Sequence, residues 1–401
     1  MTHKQRMQQV LAGHPTDRIP WCPRLDLWYK ANRRAGTLPS RFCNATLLEL
    51  VDELNFAHHA IVPDFKNLRS PADEIHRALG VYNLECMPYQ TQFENVDVRY
   101  EQRGDELAVE YVTPHGTLRT RTLHNEAMRC AGITISHITE HAFKDAGDYK
   151  AIAYLFEHAV VVPNEAGYRR YADWVGERGF AAGFVSLAGS PMHLVLRELM
   201  EFETLWYETA DHPEELAICV EAIGRYFDKV LRVSAESSAE VFLLGANYDV
   251  TLTNPDFFRQ HIQPWLRKFS DLLHPRGKFL LTHTDGENSG LLDCYLESGV
   301  DIADSVCPKP MTQLSIKDVR AHFNGRISIM GGVPSVSLVK EAMPDAEFQG
   351  FLDSFFAELG SGDHLILGIS DTTPPSAEFD RLLEIARRIE QFGPVRPMKK
   401  A

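Results

Sequence analysis

The run His283-Thr284-Asp285-Gly286 closes an apolar stretch, KFLLTHTDG, with an imidazole and a carboxylate two residues apart. Alternation along a strand turns both side chains the same way, so His283 and Asp285 can face one ligand or one metal ion. A histidine with a carboxylate suits zinc, and an open coordination position would make the ion a Lewis acid. The competing role is structural, with Asp285 capping the next helix and His283 a hydrogen-bonded neighbour. A second stretch, VFLLGANYD, ends in Asn247-Tyr248-Asp249. Asn247 could orient a substrate and Asp249 could serve as a base, or the three could form a turn held by side-chain to backbone bonds. His283, Asp285 and Asp249 are therefore the candidate catalytic residues, and His283 with Asp285 the candidate metal ligands.

Other polar residues follow apolar runs in the same way: Glu287 and Asn288, Cys307, and Ser370 with Asp371. Asn288, Cys307 and Asp371 are candidate substrate-binding groups, although a buried cysteine more often behaves as a small apolar residue. Near the amino end, Arg24, Asp26, Tyr29, Arg33 and Arg34 form a further cluster. Arginine forks match carboxylates. Arg24 and Asp26, flanked by Trp21 and Trp28, read as pocket wall along with Tyr29; the plain alternative is a salt-bridged surface loop. His58-His59 and the remaining histidines have no ligand spacing, and H-E-x-x-H, G-x-S-x-G and P-loop motifs are absent.

Converging such residues requires a scaffold that brings many strand ends to one place. From about residue 180, short apolar runs alternate with helical stretches: FAAGFVSL, VFLLGANYD, KFLLTHTDG, DIADSVCP, ISIMGGVP and LILGISDT. Such alternation predicts buried parallel strands with crossover helices. Adding AIVPDF near 60 and AVVVPN near 160 makes eight, the number that closes a (β/α)8 TIM barrel, whose chemistry lies at the carboxyl ends of its strands. The alternative, an open doubly wound sheet, lacks a G-x-G-x-x-G after any strand. Residues 1–20 predict a short helix, 21–39 a loop-rich segment over the surface, and 47–54 a helix. Residues 92–125 alternate apolar and polar with turns at 103–105 and 114–116, the pattern of a β-hairpin insertion within a single barrel domain spanning 1–401. Asn254 and Pro255 predict a helix start, and Gly331-Gly332 a tight turn after the seventh strand.

The chain has 401 residues, 44% of them hydrophobic and 24% charged, with a net charge of −14. This acidic balance argues against a nucleic-acid groove. No apolar run reaches the length of a membrane span, and the start, MTHKQRMQQVLAGHPTDR, lacks a secretory stretch. The seven cysteines are scattered, without a C-x-x-C pair, as in reduced compartments. A cytoplasmic protein is the expectation.

In the order of its motifs the chain resembles the uroporphyrinogen decarboxylase superfamily. The resemblance is carried by RMQQVLAGHPTDRIPW, by the block with HPEEL, NYD, TNPDFFRQHIQPWLRKF and HTDG, and by ISIMGGVP and LILGISDTTPP. It implies a TIM barrel, a homodimer and one of two activities. The decarboxylase class holds substrate carboxylates with an M-R-Q-A-G-R segment; here the region reads RLDLWYKANRR. The other class comprises corrinoid-dependent methyltransferases, many with zinc on H-x-C-G and on a later cysteine. This chain matches with His283 but carries Asp285 in place of the cysteine, and reads Gly368-Ile369-Ser370 at the later position. What the resemblance implies is thus a His/Asp variant acting on a small methylated substrate, with methoxylated aromatics as a candidate class, the corrinoid on a partner protein and zinc as a candidate cofactor. Loss of both thiolates points away from a thiol acceptor and towards protonation of a leaving oxygen. Two other readings stay open: a cofactor-free decarboxylase of a carboxylated small molecule, and a non-catalytic ligand-binding barrel.

Overall fold

The computed structural model describes residues 1–395. Its strands are β1 (Tyr89–Phe93), β2 (Asp97–Arg103), β3 (Glu106–Thr113), β4 (Gly116–Leu123), β5 (His137–Glu140) and β6 (Ala159–Pro163). These are followed by β7 (Gly183–Ser186), β8 (Val241–Ala246), β9 (Phe279–His283), β10 (Ile302–Val306), β11 (Ser328–Val333) and β12 (Leu365–Ile369). The last six form one parallel sheet in sequence order. Almost every residue of these strands is buried. That is why their sequences run apolar without alternating: a parallel sheet is covered on both faces. The 24-residue helix Pro213–Glu236 shows the match, with Leu216, Cys219, Ile223, Phe227, Val230 and Leu231 recurring at helical spacing on its buried side.

The six predicted units from residue 180 onward are all strands of this sheet, which is mixed α/β in class. Two further segments lie against its flanks. Trp21 bridges Leu367 of β12 in parallel, with Cys22 N–H donating to Leu367 at 2.7 Å and Leu367 N–H to Pro20 at 2.9 Å. Ala60 bridges Ala181 in parallel, and Ala57 N–H donates to Trp21 at 2.8 Å. The pairings are single bridges, not ladders.

Several expectations are corrected. The run AVVVPN does not join the parallel sheet: β6 pairs antiparallel with β1 in a separate two-stranded sheet. An apolar run cannot by itself say which partner will bury it. The start of the segment read as surface loop is buried: Trp21 and Cys22 lie against β12, followed by a helix Asp26–Ala35. Residues 92 and 93 belong to β1, and the antiparallel sheet has four strands, β2-β3-β4-β5, ending at Glu140. Gly331 and Gly332 lie inside β11 with φ of 107° and 91°. A Cβ on Gly331 would meet Val306 N at 3.0 Å, so close approach of two strands is their reason.

After β7 the chain winds a π-helical turn, Val195–Leu199, which sends Arg197 and Glu198 inward. Glu198, 2% exposed, accepts from Arg77 at 2.7 Å and from Tyr82 at 3.1 Å. Removing one member of a buried pair leaves the other charge uncompensated. Glu198→Ala should therefore cost about 3–5 kcal/mol, read by denaturant unfolding; a loss below about 1 kcal/mol, the size of a surface pair, would contradict this account. No helix among the described residues is long and apolar enough to cross a membrane.

Candidate functional site

Parallel pairing sets the centre of the site. His283, the last residue of β9, stands beside Asp304 of β10 in the ladder. Its Nδ1 lies 2.6 Å from Asp304 Oδ2. Its Nε2 points the other way, 3.4 Å from Asp371 Oδ1, just past β12. Arg24 follows the segment bridged to β12 and donates to Asp371 Oδ1 at 3.0 Å and to Asp26 Oδ1 at 3.1 Å. On the other side of Asp304, Oδ1 lies 3.5 Å from His59 Nε2. One buried carboxylate is thus shared between two imidazoles.

Asp285 completes the group. Its Oδ2 accepts from Asn247 Nδ2 at 3.2 Å, and Cys307 Sγ lies 3.4 Å from its Oδ1. One ligand atom each from His283, Asp285 and Asp371 lie within 4.8 Å of one another. Arg197 braces the rim, donating to Ala246 O at 3.1 Å and to Asn247 Oδ1 at 3.3 Å. Three non-glycine residues at these strand ends, Asn247, Ser305 and Asp371, have φ of 58°, 60° and 57°. Left-handed backbone of this kind costs energy and gathers where side chains must be aimed.

Burial and charge act against each other here. Burial favours neutral His283, but its hydrogen bonds to Asp304 and Asp371 outweigh that and raise its pKa to about 9. Burial likewise disfavours charged Asp304, yet His283 and His59 hold it far below the usual carboxylate range. Asp371 is also lowered: burial opposes it, and the bond to His283 and the charge of Arg24 prevail. Asp285 shifts up, through burial and then repulsion by Asp371. Cys307 is pushed to about 12 by burial and Asp285, so it is a neutral thiol. Two carboxylates of opposite tendency around a protonated imidazole are the makings of acid–base chemistry.

The remaining predicted residues have other tasks. Asp249 lies at the same end, since Asn247 N–H donates to His283 O at 3.1 Å and Val250 N–H to Glu287 O at 3.1 Å. Its carboxylate accepts from Thr251 N at 2.7 Å and from Glu287 N at 3.4 Å, which ties the loops together. Asn288 is spent locally: its amide donates to Thr284 O and Gly286 O, and its carbonyl accepts from Tyr295. Glu287 and Ser370 also bind backbone. Tyr29 donates to Ala45 O at 2.8 Å, away from His283, with Arg33 on its hydroxyl. Arg34 pairs with Glu126 at the surface.

Sequence reasoning missed Asp304, His59 and Arg197. For Asp304 a signal existed: a lone carboxylate inside the buried run DIADSV must have a partner. His59 opens an apolar run in the same manner. Nothing in the sequence marks Arg197, which depends on the π-helical turn.

No protein-family model matches the chain, and no curated protein matches it. Among solved structures, a methyltransferase from Methanosarcina mazei superposes with a TM-score of 0.51, over 98% of this chain and 99% of that chain, at 14% identity. At that identity the likeness bears on fold.

Proposed function

We propose that the chain is a methyltransferase that takes a methyl group from the oxygen of a small methylated compound and passes it to a corrinoid carried by a partner protein. The observation that carries this reading is His283: a buried ring whose Nδ1 is locked to buried Asp304 and whose Nε2 is turned towards Asp371 and Asp285. On this reading the two bridged segments at 20–22 and 57–60 complete an eight-membered ring around that residue. The methyltransferase fold neighbour and the order of the sequence motifs support the placement in the corrinoid-dependent class.

The carbon–oxygen bond breaks with both electrons going to oxygen. His283 Nε2 supplies the proton that oxygen takes up, and a reduced corrinoid, when docked, would supply the bonding pair that accepts the methyl group. Asp304 keeps the ring charged and aimed; Arg24 holds Asp371 in place.

The same residues fit a zinc ion. Asp26, Asp285, Asp304 and Asp371 gather around Arg24, His283 and His59, and the three ligand atoms converge. A zinc ion would take the place of the proton on His283 Nε2, held by that nitrogen, Asp285 and Asp371, with Asp304 as the carboxylate behind the histidine. When bound it would supply Lewis-acid polarisation of the substrate oxygen. Decarboxylation is the weaker reading, because Arg24 is already occupied by Asp26 and Asp371.

The test is to add reduced cobalamin, free or on a corrinoid protein, with a panel of methoxylated aromatics and to follow the methylcobalamin spectrum. Turnover with at least one donor, lost in His283→Ala, is expected. Release of carbon dioxide from a carboxylated donor without any cobalamin change would replace this reading with the decarboxylase. Metal analysis of wild type and Asp285→Ala reports on zinc separately.

A further inference from the structure

Strand β2 is the outer strand of the four-stranded antiparallel sheet, and six of its seven residues are exposed. A free edge offers unpaired N–H and C=O groups to any incoming strand. Proteins usually block such edges with proline, a bulge, or a charge turned to the core side. In β2, DVRYEQR, none of these is present; its four charged side chains discourage non-specific pairing, but their alternating signs complement a strand in matched register. Its ladder with β3 runs from Asp97 to Arg103 without a shift. The core-side residues Val98, Tyr100 and Gln102 stand opposite Tyr111, Val109 and Leu107. The charges all lie on the other face, and their signs alternate: Asp97, Arg99, Glu101, Arg103.

We propose that β2 receives the β2 strand of a second copy of this chain, antiparallel, with a two-fold axis through Tyr100, so that two four-stranded sheets become one. Two features set this register. First, the two-residue turn Gly104-Asp105, with Gly104 at φ 58°, makes Arg103 and Glu106 the closing hydrogen-bonded pair. The odd-numbered residues therefore bond to β3, and the N–H and C=O of Val98, Tyr100 and Gln102 face outward. Centring on Tyr100 lets Tyr100 pair with its own equivalent, and Val98 with Gln102 of the second copy.

Second, that register puts Asp97 opposite Arg103 and Arg99 opposite Glu101 of the second copy, at the positions where cross-strand side chains come closest. An axis through Arg99 or Glu101 would instead oppose like charges, a parallel in-register pairing would do so throughout, and an axis through Val98 or Gln102 would pair only two of the four charges on each strand. Within one copy the same groups pair along the strand, Asp97 with Arg99 at 2.6 Å and Glu101 with Arg103 at 2.7 Å, at exposed positions. Such pairs are worth little each, so charge selects the register while backbone bonds and the burial of Tyr100, 51% exposed, supply the attraction. The interface does not depend on the reaction proposed above.

Sedimentation equilibrium on the full chain tests this. Wild type should reach twice the chain mass within about 100 µM, the range for a contact at the small end of specific interfaces. Tyr100→Pro removes an outward N–H that its own sheet does not use, so the sheet should survive by circular dichroism while the dimer is lost. Arg99→Glu should weaken the dimer several-fold, and Arg99→Glu with Glu101→Arg should restore it. A wild type that stays monomeric, a dimer indifferent to Tyr100→Pro, or a charge swap that fails to restore association would each overturn the proposal.

Discussion

Asp304→Asn should lower kcat/KM for methyl transfer by about two to four powers of ten, the range for losing a positioned general acid, while leaving the fold intact. Asp304 is 1% exposed and bonded to His283 on one side and His59 on the other. Asparagine keeps the shape but not the charge. Without the carboxylate, burial is the main influence left on His283, and its pKa should drop from about 9. With Asp371 alone left to favour the charge, a smaller share of the rings would carry a proton to give at neutral pH. A structural role predicts lower stability with an unchanged pH profile. The proposed role predicts that the alkaline limb of kcat moves to lower pH in Asp304→Asn. An unmoved limb with near-normal kcat would remove His283 from the chemistry.

Acid should destabilise the protein early, beginning just below pH 6.5. Burial lowers the pKa of His58 and of His76 to about 4 each, and that of buried His193 well below its usual value. In the unfolded chain each titrates near its ordinary value of about 6.5. Between these values the unfolded state binds protons that the folded state refuses, so the stability these groups contribute is complete above pH 6.5 and lost as pH falls towards 4. At about 1.4 kcal/mol per pKa unit, His58 and His76 each account for roughly 3 kcal/mol by pH 4. In metal-free protein His283 acts in the opposite direction: its raised pKa contributes stability that is present below 6.5 and lost as pH rises through about 9. The free energy of unfolding should therefore peak near neutrality. Denaturant titrations from pH 4 to 10 give the curve, and His76→Leu should flatten its acid limb. Equal stability at pH 5 and pH 7 would contradict the assignment.

What could be read in advance followed local periodicity. The six runs from FAAGFVSL to LILGISDT are apolar on both faces because parallel strands are covered on both, and that signature survives in one dimension. Asn254 does cap its helix, accepting from Phe257 N at 3.0 Å. AVVVPN carries the same signature and yet pairs elsewhere, because an apolar run records burial and not the identity of its neighbour. Trp21 and Cys22 were misread for the converse reason: a segment held by a single bridge has too few residues to show a period.

The sequence alone determined that His283 and Asp285 end one strand on a common side, that Asp371 and Asn247 end others, and that a carboxylate stands at 285 in place of a cysteine. Tertiary structure alone decided that Asp304 would lie between His283 and His59, that Arg24 would reach Asp371, and that Asp249 and Asn288 would be consumed by their own loops. The physical reason is that a side chain's neighbours along the chain follow from backbone periodicity. Its neighbours across strands follow from register, which is set by packing of the whole sheet.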